Sequence, residues 1–251
     1  MKVVVVGASG TMGKYVSDRL EQRDVEVVRA HRGSGVDAQS GTGLADALAG
    51  AEMVVDCLNV TTQSARTAKT FFSTAAGNIA DAATAAGARV VCLSICNAAD
   101  PAVNRRMGYY QGKAAQEAVY RDRLDDRLTI VRTTQWFELA DTVSKQLALG
   151  PVAVMPHMMT APLAAADGAE VIVEQVLQPG PAVLEVRGPR QLDLVEVARA
   201  LWAARGEHRI VVPIRFGGAA MRNGGLIPDH PDVTTGTTLD QWLTASAGAP
   251  D

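Results

Sequence analysis

The chain has 251 residues and a formal net charge of −3, and 47% of its residues are apolar against 20% that are charged. This balance is typical of a globular protein with one large core, and the mixed charges without a basic run exclude bulk attraction to nucleic acid. Three cysteines and scattered histidines indicate neither a disulfide framework nor a metal site, and no apolar stretch is long enough for a membrane span. Because the first predicted strand begins at Lys2, we expect no signal peptide and a cytoplasmic location.

Strands and helices alternate along the first half of the chain. A β-branched run from Lys2 to Gly7 predicts a strand buried on both faces, and apolar residues at helical spacing predict a helix over 11–20. The same patterns then predict a strand at 25–30, a short helix at 44–48, a strand at 53–58, a long alanine-rich helix at 65–86, a strand at 90–94, a helix at 109–121 and a strand at 128–132.

This alternation predicts the fold class, which is α/β with a Rossmann-type doubly wound parallel sheet and helices on both faces. Beyond Gln135 the pattern loosens, and a strand at 182–186, a helix at 192–204, a strand at 209–212 and a short helix at 239–243 are predicted. No linker separates two domains, so we expect a single domain over 1–251. Residues of about 135–165 and 213–251 are expected to form a small C-terminal substrate lobe over the ligand crevice.

A glycine-rich loop joins the first predicted strand to the first predicted helix. Its first glycine permits a tight turn, the second lets the backbone approach a pyrophosphate, and the third lets helix and strand pack closely. Backbone N–H groups at the start of the helix then point at the phosphates. The alternative is a strand-to-helix turn without a ligand. The loop residues expected to bind cofactor are Gly7, Ser9, Gly10, Thr11, Met12 and Gly13.

The glycine spacing, G-x-x-G-x-x-G, resembles that of the extended and atypical short-chain dehydrogenase/reductases. Three further blocks, at 90–94, 109–113 and 128–137, follow the order found in the NmrA-like NAD(P)H-binding members of that superfamily. The resemblance covers nearly the whole chain, and its most specific parts are the glycine loop and the Tyr109/Lys113 pair. It implies one NAD(P)-binding Rossmann domain.

The residues after the second predicted strand indicate which nicotinamide cofactor is bound. NAD-binding proteins usually place an acid there, whereas this chain has Arg29 and Arg32 and no acid at the strand end. An arginine fork pairs well with a 2′-phosphate, so NADP(H) is favoured over NAD(H). Arg32 resembles the phosphate-binding arginine of the NmrA-like group; the alternative for both arginines is a solvated surface charge. By the same resemblance, Asp37 meets the adenine edge and Asn59 lines the ribose.

Tyr109 and Lys113 stand four residues apart, so they share one face of a helix. In short-chain dehydrogenases, which this pair resembles, the tyrosine hydroxyl exchanges a proton with the substrate oxygen while hydride moves to or from the nicotinamide. Free tyrosine is a poor base at neutral pH, and a lysine cation favours its ionised form. Lys113 is also expected to hold the cofactor ribose, and Ser94, at a strand end, to orient the substrate oxygen. A chance match and a helix-capping Tyr109 are the alternatives.

Two neighbours on the same predicted helix receive other roles. Tyr110 fits the spacing to Lys113 less well and is expected to pack in the core or to face substrate. Glu117 is expected to pair with Lys113 or Arg121 on the helix surface.

Gln135, Trp136 and Phe137 follow the predicted strand at 128–132, where the family places a loop beside the nicotinamide. An aromatic pair there favours a flat or apolar carbonyl compound, and a core aromatic pair is the alternative. No basic cluster indicates a phosphorylated or nucleotide-sugar substrate. The chain also looks short for a nucleotide-sugar epimerase.

These observations predict an NADP(H)-dependent oxidoreductase of the short-chain type that acts on a small carbonyl, quinone or enone-like compound, with Tyr109 as acid/base. A non-catalytic NADP(H)-binding redox sensor of the NmrA-like type is the first alternative. An epimerase or dehydratase with a tightly held cofactor is the second. The expected partner is a small-molecule substrate, with no nucleic acid and no membrane, and the oligomeric state is left open.

Overall fold

The computed structural model describes residues 1–207 and 209–247 of the chain. The strands are β1 (Lys2–Val6), β2 (Glu26–Ala30), β3 (Met53–Asp56), β4 (Arg89–Ile95), β5 (Leu128–Thr133), β6 (Ala148–Leu149), β7 (Val152–Pro156), β8 (Met159–Thr160), β9 (Val183–Arg187), β10 (Leu192–Asp193), β11 (Ile210–Ile214) and β12 (Val233–Thr234). The helices are α1 (Thr11–Glu21), α2 (Leu44–Leu48), α3 (Ala65–Ala86), α4 (Pro101–Asn104), α5 (Gly108–Leu124), α6 (Phe137–Gln146), α7 (Ala165–Leu177), α8 (Leu194–Ala204), α9 (Ala219–Arg222) and α10 (Leu239–Ala247).

Seven strands form one parallel sheet in the order β12-β9-β5-β4-β3-β1-β2. The four valines of β1 are buried, as expected of a central strand covered on both faces. The predicted α/β class with a doubly wound parallel sheet is therefore confirmed. Because β2 and β3 lie on opposite sides of β1, the strand order reverses there, and a crevice opens at the carboxyl ends of β1 and β3.

Helices cover both faces of this sheet. On one face, α1 and α7 pack against each other over the odd-numbered valines of β1. On the other face, α2, α3 and α5 cover the even-numbered ones. This alternation of apolar residues along each strand fixes which side chains reach which helix.

A third core cluster lies beyond the sheet, where α6, α8, β7 and β11 surround Met155 and Trp202. It includes parts of the substrate lobe expected from residues of about 135–165 and 213–251, and it also takes in α8. Residues 248–251 of that expected lobe lie outside the described residues. Helix α7 packs on α1 and not in this cluster.

Within the described ranges, no helix has both the length and the apolar character that a transmembrane segment needs.

Candidate functional site

The carboxyl ends of the parallel strands gather most of the residues that the sequence singles out. The glycine loop follows β1, Arg32 follows β2, Asn59 follows β3, and Ser94 is the penultimate residue of β4. Helix α5 begins at this same edge, because a crossover helix runs antiparallel to its strands.

Two of the three glycines are required by the fold itself. Gly7 has φ +81°, a left-handed conformation, and a Cβ atom there would lie 3.0 Å from the backbone of Cys57. A Cβ atom on Gly13 would lie 2.2 Å from the Gly7 carbonyl oxygen. Close packing of β1, β3 and α1 therefore excludes any side chain at both positions.

Gly10 is different, because the protein itself leaves room there. Its φ of −80° and ψ of 171° are extended values that any residue adopts, and an added Cβ would meet only the Gly7 oxygen, at 3.4 Å. No described side chain caps the N-terminus of α1, and Ser9 and Thr11 are exposed beside it. The open space and the uncapped N–H groups fit a pyrophosphate. Met12, by contrast, points its side chain into the core.

The two arginines after β2 are held differently. Arg29 donates to Glu21 Oε1 at 2.9 Å and to Asp18 Oδ1 at 2.5 Å, so its guanidinium is committed to the surface of α1. The expectation that Arg29 binds cofactor does not fit this pairing. Arg32 is exposed in a 3₁₀ turn at 32–34, and its guanidinium makes no hydrogen bond or ion pair among the described residues.

Asp37 and Asn59 both bond to their own loops. The Asp37 carboxylate accepts from the Gln39 backbone N–H at 2.8 Å, and Asn59 Oδ1 accepts from Val60 N at 2.9 Å. Each side chain therefore shapes the rim of the crevice at this point, and direct contact with adenine or ribose stays a prediction.

Lys113 is buried in a network that joins α5 to the ends of β3 and β4. Its Nζ donates to the Leu93 carbonyl at 3.0 Å, to the Leu58 carbonyl at 3.3 Å and to Gln116 Oε1 at 3.0 Å. Only 2% of Lys113 is exposed, and Nζ lies 4.4 Å from the centre of the Phe72 ring. The ammonium is thus fixed at the sheet edge beside the glycine loop.

The network continues from Gln116 to a carboxylate that the sequence analysis missed. Gln116 Nε2 donates to Asp56 Oδ2 at 2.7 Å, and the Tyr120 hydroxyl donates to the same oxygen at 2.8 Å. Burial, and then the charge of Asp56, raise the pKa of Tyr120 well above its ordinary value. The sequence contained a signal for this network. Asp56 is an acid inside the apolar run of β3, and Gln116 and Tyr120 lie on the same face of α5 as Lys113.

Tyr109 lies at the start of α5, partly exposed. Its ring packs edge-on against Phe72, at 5.7 Å between ring centres, so Tyr109 and Lys113 both contact this one phenylalanine. Its hydroxyl makes no hydrogen bond within the described part of the chain, and so it is open to a ligand. Tyr110 is buried and accepts a hydrogen bond from Gln135 Nε2 at 2.6 Å.

No hydrogen bond joins Ser94 to Tyr109 in the described part of the chain. Ser94 pairs in register with Arg132 of β5, whose guanidinium grips Glu117 of α5 at 2.7 and 2.9 Å. The buried Ser94 hydroxyl has no hydrogen-bond partner among the described residues, and it lies close enough to Glu117 to help lower that carboxyl's pKa. The structure therefore places Ser94 at the level of Glu117, two turns along α5 from Tyr109.

Glu117 is buried, which differs from the expected surface position. Arg121 does pair with it, at 3.0 Å, but Arg132 is its bidentate partner and Lys113 is not among its contacts.

The three residues after β5 have separate roles. Phe137 is 1% exposed and packs on Trp242, so it is a core residue and not part of a substrate wall. Gln135 is buried between Tyr110 and Thr160, which donates to its Oε1. Trp136 is half-buried, donates from Nε1 to Thr133 at 3.0 Å, and packs against the core on the α1 and α7 face of the sheet.

No protein-family model matches the sequence, and no curated protein is significantly similar to it. Solved structures match over most of the chain. dTDP-4-dehydrorhamnose reductase from Bacillus anthracis, in complex with NADP, superimposes with a TM-score of 0.75 at 15% identity over 97% of both chains. The chain has the fold of the short-chain dehydrogenase/reductases.

Two further structures with this fold differ in the cofactor or activity that they carry. A short-chain dehydrogenase/reductase superfamily protein from Agrobacterium tumefaciens, with bound NAD, matches with a TM-score of 0.70 at 16% identity over 98% of this chain and 96% of that one. UDP-N-acetylglucosamine 4-epimerase from Bacillus cereus matches with a TM-score of 0.68 at 16% identity over 100% of this chain and 98% of that one. This coverage corrects the expectation that the chain is too short for such an epimerase. Membership of the NmrA-like group stays a prediction.

Proposed function

We propose that the protein is an NADP(H)-dependent oxidoreductase of the short-chain type. The observation that carries this proposal is the pair at the start of α5, where the Tyr109 hydroxyl is open and the Lys113 ammonium is fixed one turn away. The reductase from Bacillus anthracis, which has the same fold, is in complex with NADP, and this supports a nicotinamide dinucleotide as the cofactor of this protein.

The cofactor's phosphates would lie over Gly10 and the first turn of α1, where the open space and free N–H groups are found. Arg32, which is unpaired within the described residues, would bind the 2′-phosphate of the ribose. When bound, the nicotinamide supplies or accepts the hydride. Lys113, anchored to the Leu58 and Leu93 carbonyls, borders the cofactor path between β3 and β4.

The proton is handled by Tyr109. Its hydroxyl would donate to, or accept from, the carbonyl oxygen of the substrate, a small ketone, quinone or enone. Lys113 lies one turn further along the same face of α5, and the Leu58 and Leu93 carbonyls hold its ammonium at the sheet edge. Trp136 would bound the crevice on the side of α1.

We expect Gly10→Ala to weaken NADPH binding by about tenfold or more, because the new methyl group occupies the space of the pyrophosphate. Its melting temperature is expected to stay close to that of the wild type. Gly13→Ala is the contrasting variant, since its methyl group collides with the Gly7 carbonyl and costs about 3 kcal/mol of unfolding free energy. Fluorescence titration with NADPH and thermal unfolding measure the two effects. Equal NADPH affinity in Gly10→Ala and wild type would refute the assigned phosphate site.

We expect Arg32→Ala to weaken NADPH binding by about 10- to 100-fold and to leave NADH binding unchanged, because only NADPH carries the 2′-phosphate. Arg29→Ala is the matched control, and its ratio of NADPH to NADH affinity should equal that of the wild type. Parallel titrations of both nucleotides give the two ratios. A preference for NADPH that survives in Arg32→Ala would remove Arg32 from the site.

One observation favours a non-catalytic NADP(H) sensor as the second candidate. Ser94 faces Glu117, so the serine of the predicted set is not beside Tyr109. The sensor hypothesis predicts nucleotide binding without turnover of any carbonyl compound, quinone or enone. A screen of such compounds with NADPH, followed at saturating nucleotide, separates it from the oxidoreductase.

A further inference from the structure

Arg187 ends β9 at the same sheet edge as the candidate site. Side chains alternate along a strand, so Arg187 shares a face with Glu185. Glu185 accepts from Arg132 Nη1 at 3.1 Å, and Arg132 in turn binds Glu117 of α5. Arg187 therefore lies on the α5 face, one step nearer the crevice than this ion-pair row.

The two arginines on this face have contrasting surroundings. Arg132 has two carboxylate partners, whereas the guanidinium of Arg187 makes no hydrogen bond or ion pair with any described residue. The Nε atom of Arg187 is nevertheless buried. A buried donor of a charged group without an acceptor is costly, so its presence calls for a partner that the chain itself does not supply.

The backbone around Arg187 is held rigidly. Arg187 pairs with Thr234, its carbonyl accepts from Thr235 N at 2.9 Å, and the next residue donates to the Ala161 carbonyl at 2.8 Å. That next residue is Gly188, and a Cβ atom there would lie 1.8 Å from the Pro162 oxygen. A fixed backbone presents the guanidinium in one place, which lowers the entropic cost of binding.

The strand order separates Arg187 from the phosphates of the cofactor. Four strand steps lie between β9 and β1, a distance of about 19 Å at the usual spacing between strands. The glycine loop and Arg32 are at β1 and β2, so an anion at Arg187 does not belong to the pyrophosphate or the 2′-phosphate.

We propose that Arg187 binds an anionic group of the substrate, a phosphate or a carboxylate, in the crevice beyond the nicotinamide. This rests on the proposed function, and it narrows the substrate class to carbonyl compounds that carry a negative charge. The sequence has no basic cluster to indicate a phosphorylated substrate, but one unpaired arginine suffices where such a cluster is absent.

The test is calorimetric titration of the full chain with inorganic pyrophosphate and, separately, with succinate, each with and without saturating NADP⁺. We expect one of the two anions to bind and Arg187→Gln to weaken it by about tenfold or more. Pyrophosphate binding that persists with NADP⁺ bound and is weakened by Arg187→Gln indicates a phosphorylated substrate, and succinate binding weakened by the same substitution indicates a carboxylate. Arg199→Gln, an exposed arginine on α8, is the matched control and should bind like the wild type. Failure of both anions to bind, or equal binding by Arg187→Gln, would overturn the proposal.

Thermal unfolding separates a ligand-binding role from a structural one. Because the guanidinium of Arg187 has no partner in the described protein, Arg187→Gln and Arg187→Lys should melt no lower than the wild type. A marked fall in melting temperature of both variants would indicate a structural role and overturn the proposal. If the nucleotide does not bind, the difference between wild type and Arg187→Gln in the titrations without NADP⁺ still reports on Arg187, because the glycine loop is the same in both proteins. A failure of the proposed function is therefore recognised separately.

Discussion

Replacing Tyr109 by Phe is expected to lower kcat by about 10²- to 10⁴-fold and to leave the Kd of NADPH within about twofold. The hydroxyl of Tyr109 is the open acid/base group at the start of α5, while its ring, packed on Phe72, is preserved in phenylalanine. Proton transfer to the substrate oxygen is lost, whereas the cofactor contacts at α1 and β2 are untouched. Steady-state kinetics with a substrate found by screening, together with NADPH titration, measures both quantities.

Tyr110→Phe is the control for this prediction. It removes a hydroxyl from the adjacent residue of α5, but that hydroxyl is buried against Gln135. We expect a loss of stability of about 1 kcal/mol and turnover close to that of the wild type. Full turnover by Tyr109→Phe would eliminate the assigned proton transfer. Turnover lost only in Tyr110→Phe would show that Tyr110, and not Tyr109, transfers the proton.

The sequence was sufficient for the parallel sheet and the glycine loop because their signals are local. Each central strand is a short run of β-branched residues bounded by turn residues, as in β1 and β4. Gly7 is required by its positive φ angle, and Gly13 by its close contact with the Gly7 backbone. Helix α3 was predicted with the bounds that the structure has, since Ser64 caps its start and Gly87 ends it.

Helix α7 was missed for an identifiable reason. Val171, Ile172 and Val173 are consecutive and all buried, because α7 packs against both α1 and the sheet. A helix that is apolar on several sides lacks the single apolar face from which a helical period is recognised. The strands of the lobe are too short, at two to five residues, to give an alternating pattern that stands out.

The site residues that were misplaced all depend on pairing across elements. Arg29 could be assigned to Asp18 and Glu21 only once the packing of β2 on α1 was known. Phe137 packs on Trp242, which lies more than a hundred residues further along the chain. The unpaired Nε atom of Arg187 likewise depends on which side chains surround it in the fold, which residue types alone do not specify.

The buried ion pair of Glu117 and Arg132 is where we expect the largest loss of stability. The Glu117 side chain is 1% exposed, and it holds Arg132 by two hydrogen bonds with Arg121 alongside. Glu117→Gln keeps the volume but removes the charge, so Arg132 is left partly buried with Glu185 as its remaining carboxylate. We expect the free energy of unfolding to fall by about 3 kcal/mol. Chemical denaturation at neutral pH measures it.

The acid dependence of stability gives a second readout of the same pair. Burial alone would raise the pKa of Glu117, but hydrogen bonds from Arg132, with Ser94 and Arg121 nearby, outweigh it and hold that pKa below its ordinary value. A carboxyl with a lowered folded-state pKa contributes stability above its unfolded pKa of about 4.3 and loses it as the pH falls through the folded value. The wild type should therefore lose stability below about pH 4 more steeply than Glu117→Gln.

An exposed ion pair is the control that decides whether burial causes the loss of stability expected of Glu117→Gln. Asp81 pairs with Arg123 at 2.6 Å, but its side chain is 72% exposed, so Asp81→Asn should cost about 0.5 kcal/mol or less. Similar losses in Asp81→Asn and Glu117→Gln would mean that the Glu117 network is no more than a surface interaction. A loss confined to Glu117→Gln would instead show that the row Ser94, Arg132 and Glu185 is a structural support of the sheet. Ser94 would then belong to the support beneath the site, and Tyr109 and Lys113 would be left as the groups that face the ligand.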